Sequence, residues 1–187
     1  EKQRFSGEDA KLFAKCLNIK SMNLRYCTLY AAGAGIIGGM EHLKNLERVN
    51  LTGNCFESEG CKLMLESKIK TPYRFNISYC MIKSDGIKHL VNVRMAGVKY
   101  LNFKGNCLEA VGLKHFKSMR LKDLITLNLS SCGIGGEGFG HLAEIEMVFL
   151  KRLNLHSNHL SEHDSEAGFR KCKFPRLRYL ILWCNHL

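Results

Sequence analysis

The sequence has no apolar run approaching the roughly 18 residues of a membrane-spanning helix, so no membrane span is expected. It has no G-x-x-x-x-G-K-S/T loop for nucleoside phosphates, no G-x-S-x-G nucleophile turn and no H-E-x-x-H pair for catalytic zinc. Its nine cysteines include no C-x-x-C pair and no zinc-ribbon spacing, so no metal site is expected. Acidic residues are few, 17 against 28 Lys and Arg. Asp9, Glu59, Asp85 and Glu137 fall in turns, where carboxylates cap helices or face solvent. These absences leave no catalytic residue and no cofactor to assign, and the chain reads as non-enzymatic. With 45% apolar residues it can still bury one continuous core.

What the sequence does contain is a repeat. The pattern L-x-x-L-x-L-x-x-N/C-x-L occurs seven times, and its ninth position falls on Cys27, Asn54, Cys80, Asn106, Cys132, Asn158 and Asn185, in steps of 27, 26, 26, 26, 26 and 27 residues. Such a period marks a leucine-rich repeat, each unit adding one short strand and one returning convex segment. The expected fold class is α/β: a solenoid of about seven repeats, with a curved parallel sheet on the concave face and helices or turns on the convex face. Residues 1–187 read as a single domain, cut from a longer protein at both ends. Residues 1–18 are the convex end of a preceding repeat, and strands are expected near 19–29, 46–56, 72–82, 98–108, 124–134, 150–160 and 177–187.

Positions four and six are apolar in every unit, from Met22 and Leu24 to Leu180 and Leu182, alternating with outward residues as one buried strand face requires. At position nine the chain turns inward, and a side chain must satisfy backbone groups of the neighbouring coil. Asn offers both a donor and an acceptor there, and Cys a small, weakly polar substitute. Gly7, Gly33, Gly60, Gly86, Gly112 and Gly138 keep the same phase on the convex side, and Ser58 and Ser84, beside Glu59 and Asp85, read as helix starts. In the last unit Gly168 follows Asn158 by ten residues instead of six, which predicts an irregular return carrying Arg170, Lys171, Lys173 and Arg176.

The strand consensus, the mixture of Asn and Cys at position nine and the convex G-x-x-x-L resemble the ribonuclease-inhibitor-like class of leucine-rich repeats, which also forms recognition domains of intracellular NOD-like immune receptors. The resemblance covers essentially the whole chain, although the units are slightly shorter than that class has and closer to the cysteine-containing repeats of F-box proteins. It implies a protein-recognition or regulatory part of a larger intracellular protein, such as an innate immune receptor.

Cysteine usage points to a reducing, cytoplasmic setting. The count is odd, and equivalent thiols of alternate coils would lie about 9–10 Å apart, too far for a disulfide. Asn50-Leu51-Thr52, Asn76-Ile77-Ser78 and Asn128-Leu129-Ser130 are formal glycosylation sequons on the strands. Glycans there would block the inner face, so the sequons read as by-products of the repeat. His89, His115 and His141 recur one repeat apart, but helical layers at about 8–10 Å cannot bring neighbouring imidazoles to the roughly 2.0–2.1 Å of a zinc bond.

Positions two, three, five, seven and eight of each strand should face outward on the concave side. Position five carries Asn23, Asn50, Asn76, Asn102, Asn128 and Asn154, expected to hydrogen-bond as a ladder along the sheet. The flanking positions carry Lys20, Arg25, Arg48, Arg74, Lys99, Lys104, Lys151, Arg152 and Arg178 against one acid, Glu47. Tyr26, Tyr73, Tyr79, Tyr100, Tyr179 and Trp183 are interleaved. Cations with exposed aromatics are the composition of interface cores. The candidate partner-binding residues are Arg25, Tyr26, Arg48, Arg74, Tyr79, Tyr100, Lys104, Arg152, His156, Tyr179 and Trp183, with Trp183, Tyr179 and Arg152 as expected anchors. The expected partner is a protein with an acidic surface. The alternative is RNA or single-stranded nucleic acid, with phosphates on the cations and bases on the tyrosines. A ribonuclease inhibitor would need an acidic face for its basic target, so this basic face argues against that activity.

Overall fold

The structure, a computed structural model, describes residues 18–40, 45–65, 72–91, 95 and 97–187. Gly7, Asp9 and, apart from Asn18, the convex segment assigned to 1–18 lie outside the described residues. Seven parallel strands follow in chain order: β1 Ser21–Asn23, β2 Arg48–Asn50, β3 Arg74–Asn76, β4 Tyr100–Asn102, β5 Thr126–Asn128, β6 Arg152–Asn154 and β7 Tyr179–Ile181. They form one open sheet in sequential order. Among the described residues six helices alternate with them: α1 Ala31–Gly38, α2 Glu57–Leu65, α3 Ser84–Val91, α4 Glu109–Phe116, α5 Gly135–Ala143 and α6 Glu162–Lys171.

Each expected eleven-residue strand segment holds a strand of only three residues. The parallel ladder nonetheless runs further, because the amides of positions six and eight still donate to the next coil, as Leu24 does to Asn50 O and Tyr26 to Thr52 O. Register is held without slippage, with Met22, Val49, Phe75, Leu101, Leu127, Leu153 and Leu180 side by side. That row, with position six and the eleventh residues Leu29, Phe56, Ile82, Leu108, Ile134 and Leu160, makes the core between sheet and helices. At β7, the outer strand, Leu180 is 38% exposed because no further described coil covers it.

The ladder side chains hold consecutive coils together. Asn106 Oδ1 accepts from the amides of Cys80 and Ile82 (3.1 and 3.0 Å), while its Nδ2 donates to Ile77 O and Phe103 O (2.9 and 2.7 Å). Asn185 repeats the arrangement, Asn158 does so except that its Nδ2 donates to His156 O beside Leu129 O, and Asn54 accepts from Leu29 N and donates to Leu24 O and Leu51 O. Cys80 and Cys132 donate through sulfur to Leu51 O and Phe103 O of the preceding coil (3.2 and 3.4 Å), and Cys27 to Arg25 O within its own coil. Burial pushes the thiols of Cys61, Cys80 and Cys132 up to about 12. All eight described cysteines are free.

The convex side departs from expectation in two places. The last return is not irregular: α6 is a regular helix of ten residues, capped by Ser161, whose Oγ accepts from Asp164 N at 3.2 Å. Ser165 stands fourth in α6 as Gly138 stands fourth in α5 and is buried in the glycine's place, so Gly168 is free to lie under the Phe139 ring. A hydroxymethyl is small enough for that slot; a glycine is not required. Secondly, α2 begins at Glu57, so Ser58 sits inside the helix and caps nothing. Its hydroxyl donates to Asp85 Oδ1, tying α2 to α3.

A candidate binding surface on the concave sheet

Strand alternation sends position three into the concavity, and the register sets its members in a row: Ser21, Arg48, Arg74, Tyr100, Thr126, Arg152 and Tyr179. The first five, with Asn23, Asn50, Asn76, Asn102 and Asn128 as floor, line an open groove of about 430 Å³. No carboxylate lines it. Along the groove the basic and aromatic side chains are stacked. Arg48 Nε donates to the Tyr73 hydroxyl at 2.6 Å, which holds the guanidinium above its ordinary pKa. Arg74 lies 4.0 Å from the Tyr100 ring centre and 5.9 Å from that of Tyr73, and the two rings meet edge to face at 6.4 Å. Tyr73 thus links two guanidinium groups, a role its position-two place in the sequence did not signal.

The other candidate residues fall into two groups away from this groove. Arg25, Tyr26, Tyr79 and Lys104 sit on the rim, where the chain leaves the strands. Tyr26 lies over Gly53 and Tyr79 over Gly105, so closely that a Cβ on either glycine would come within 2.2 or 2.3 Å of the ring. Arg25 and Lys104 stand 5.5 and 5.6 Å from the rings of Tyr26 and Tyr79. The third group is at β6 and β7. Arg152 lies 4.7 Å over the Tyr179 ring, and His156 stacks on Trp183 at 3.7 Å with its Nδ1 2.8 Å from Trp183 O. Trp183 is 66% exposed. Arg152 is three strands from Arg74, about 14–15 Å across a sheet, so these expected anchors are a separate patch and not part of the groove.

The structure alters two expectations about the inner face. Position seven is not uniformly outward: Thr52, Ser78 and Ser130 are 6, 3 and 1% exposed. Nor do the position-five amides bond to one another along the sheet. From Asn50 onward each Oδ1 turns forward along its own strand, accepting from the amide two residues on: Asn50 from Thr52, Asn76 from Ser78, Asn102 from Lys104, Asn128 from Ser130 and Asn154 from His156, at 3.0–3.2 Å. Where position seven is a hydroxyl it donates to the same oxygen. Short-range geometry wins because the chain begins its inward turn here and the i+2 amide would otherwise lose its partner. It also accounts for the three sequons: the Asn and the hydroxyl residue two positions on are a bonded pair.

Elsewhere the molecule offers less. Two G-x-G-x-x-G spacings, 33–38 and 133–138, fall on the convex side at α1 and α5. At α5 the space beside Gly133 and Gly135 is open, but the Asp164 carboxylate stands against Gly136, where it would oppose a phosphate, and in the other spacing Gly38 is packed against the Met64 backbone. No described helix is long and apolar enough to cross a membrane, and no group of three His, Cys, Asp or Glu among the described residues could hold a metal ion.

The stacked parallel strands, the inward Asn/Cys ladder and the convex helices decide the architecture. The chain is a leucine-rich-repeat solenoid. A family model described as Leucine Rich repeat matches residues 42–65 and 121–140, stretches that hold β2 with α2 and β5 with the start of α5. No curated protein is matched by the sequence. Leucine-rich-repeat domains act as protein-interaction modules, and the surface such a solenoid presents is its concave sheet.

Proposed function

We propose that this leucine-rich-repeat solenoid is a non-enzymatic recognition module that binds a protein partner through an acidic surface docked in its concave groove. The observation that carries this reading is the Arg48–Tyr73–Arg74–Tyr100 stack in a groove with no carboxylate in its lining. A cationic concavity raises the local potential and steers anionic partners, and stacked Arg and Tyr are the groups that dominate interface energies. The aromatic faces favour a protein over RNA. Tyr100, the tyrosine that lines the groove, has Arg74 over its face and Tyr73 at its edge, so little ring surface is left inside the groove for bases to stack on, and the exposed rings of Tyr26, Tyr79, Tyr179 and Trp183 lie outside it. In this reading the solenoid is the recognition part of a larger intracellular protein in a reducing compartment, as the NOD-like receptor resemblance implies, and its eight described free thiols fit that setting.

The test compares the unaltered chain with R48E/R74E and with K88E/K114E, the second carrying the same charge change on the convex helices α3 and α4. Acidic proteins captured from cytosol are expected on the chain and on K88E/K114E and absent from R48E/R74E. Equal capture by all three would remove the groove from the function.

A further inference from the structure

The groove's floor is chemically one-sided. A backbone amide can only donate, so the atom of Asn50, Asn76, Asn102 and Asn128 that meets the i+2 N–H must be the side-chain oxygen, whatever the ambiguity of amide orientation elsewhere. That bond, joined at Asn50, Asn76 and Asn128 by the hydroxyl of Thr52, Ser78 or Ser130, holds the oxygen and leaves the NH2 group of each groove-lining amide without a hydrogen-bond partner among the described residues. Strands spaced about 4.8 Å apart therefore present a straight row of amide donors, flanked at position three by the donor-only guanidinium groups of Arg48 and Arg74. Such a surface favours a ligand that brings acceptors at every step and no donors of its own to bury.

We propose that the groove takes an extended acidic peptide segment of a partner protein, with its Asp or Glu carboxylates, which accept and do not donate, on Arg48 and Arg74 and on the outward amides of Asn50, Asn76, Asn102 and Asn128. This rests on the function proposed above and names its ligand. An extended chain suits the row because its alternate side chains share one face, about 6.8 Å apart, so that successive carboxylates can reach the groove together. Charge complementarity selects carboxylates: guanidinium groups bind them in bidentate fashion, and no acid lines the groove to oppose them.

The probe is a fluorescein-labelled peptide alternating Glu and Thr, about eight residues long, enough at roughly 3.4 Å per residue to cross five strands. Its binding to the full chain is followed by anisotropy at about 0.15 M salt, where distant surface charges are screened. Asn102→Asp and Asn76→Asp keep the oxygen that accepts from Lys104 N or Ser78 N, so the turn survives, but remove the donor. Ser21→Asp adds the same charge to the same groove and leaves every amide in place. Arg74→Glu is expected to weaken binding about tenfold or more and each Asn→Asp about tenfold, since bonds to charged or strongly polar acceptors are lost. Ser21→Asp should cost clearly less than either. If Asn→Asp costs no more than Ser21→Asp while Arg74→Glu still abolishes binding, the donor row is overturned and the basic-groove reading stands. If neither Arg74→Glu nor the Asn variants matter, or a single-stranded oligouridylate of equal charge binds more tightly than the peptide, both fall.

Discussion

Position eight is left-handed in all seven repeats: Tyr26, Gly53, Tyr79, Gly105, Ser131, Ser157 and Cys184 have φ between 53 and 71°. The turn, and not glycine, sets that conformation. Glycine appears only where the preceding repeat has placed a tyrosine over the site, as Tyr79 lies over Gly105. Gly105→Ala therefore combines left-handed strain with overpacking and should cost roughly 2–4 kcal/mol. Adding Tyr79→Ala should recover the overpacking share, giving a favourable coupling of about 1 kcal/mol or more in a urea-unfolding double-mutant cycle. Additive losses would mean that the ring and the glycine do not oppose each other. The ladder at position nine was legible from spacing alone, since only a residue in contact with its own repeat-equivalents keeps a 26-residue phase. The turn that follows was not. A left-handed residue stands at position ten where the next coil offers an Asn (Thr28, Met81, Gly133, His159) and at position twelve where it offers a Cys (Glu57, Glu109), and the fifth repeat, facing Asn158, has one at both positions, Gly133 and Gly135. Asn accepts side-chain bonds from amides of the preceding coil, as Asn106 does from Cys80 and Ile82, whereas opposite Cys the position-twelve amide reaches the next coil's backbone, as Glu57 N finds Cys80 O and Glu109 N finds Cys132 O; Gly135 N does the same with Asn158 O. That dependence crosses a repeat boundary, where a pattern read within one unit cannot see it.

At the scale of elements, neighbouring helices are joined by contacts that their own sequences do not announce. Ser58 looks like a cap and is instead a bridge: its hydroxyl on α2 holds the Asp85 carboxyl of α3 below its ordinary pKa, assisted by Gly86 N. A depressed carboxyl contributes stability above its unfolded pKa and loses it as pH falls through the folded value. Ser58→Ala should therefore raise the Asp85 midpoint in a carbon-detected NMR titration and soften the loss of stability in acid. An unchanged midpoint would assign the depression to the helix terminus alone. Ser161 is the converse, a true cap that the misplaced Gly168 concealed. Ser161→Ala should cost about 1 kcal/mol and fray α6, read as faster amide exchange at Ser165 and Glu166. Equal exchange in both proteins would leave α6 held by packing against Phe139 and not by its cap. The groove was half legible for the same reason. Its cations and tyrosines follow from strand alternation, but the orientation of the Asn amides depends on which neighbour the oxygen meets, and that choice is made in three dimensions.

The whole molecule is a stack in which each unit touches only the next, so stability should be lost from an end inward and not everywhere at once. The cysteines are placed to report the order. Cys107 and Cys184 are exposed and should be labelled by a thiol reagent in the native state, whereas Cys61, Cys80 and Cys132, whose thiols burial holds up to about 12, should be labelled only on opening. Cys172, after α6, is half-buried with its thiol pushed up to about 11 and lies nearest the β7 face, where Leu180 and Ile181 are already exposed. In rising urea, labelling mapped by mass spectrometry should therefore reach Cys172 first, then Cys132, then Cys80. The concave groove on β1 to β5 would still be assembled after β7 has opened, and peptide binding should survive the labelling of Cys172 and fail with that of Cys132. If Cys132 and Cys80 become reactive together with Cys172 at one urea concentration, the seven units fold as a single cooperative block, and the groove depends on the far end of the solenoid as much as on its own strands.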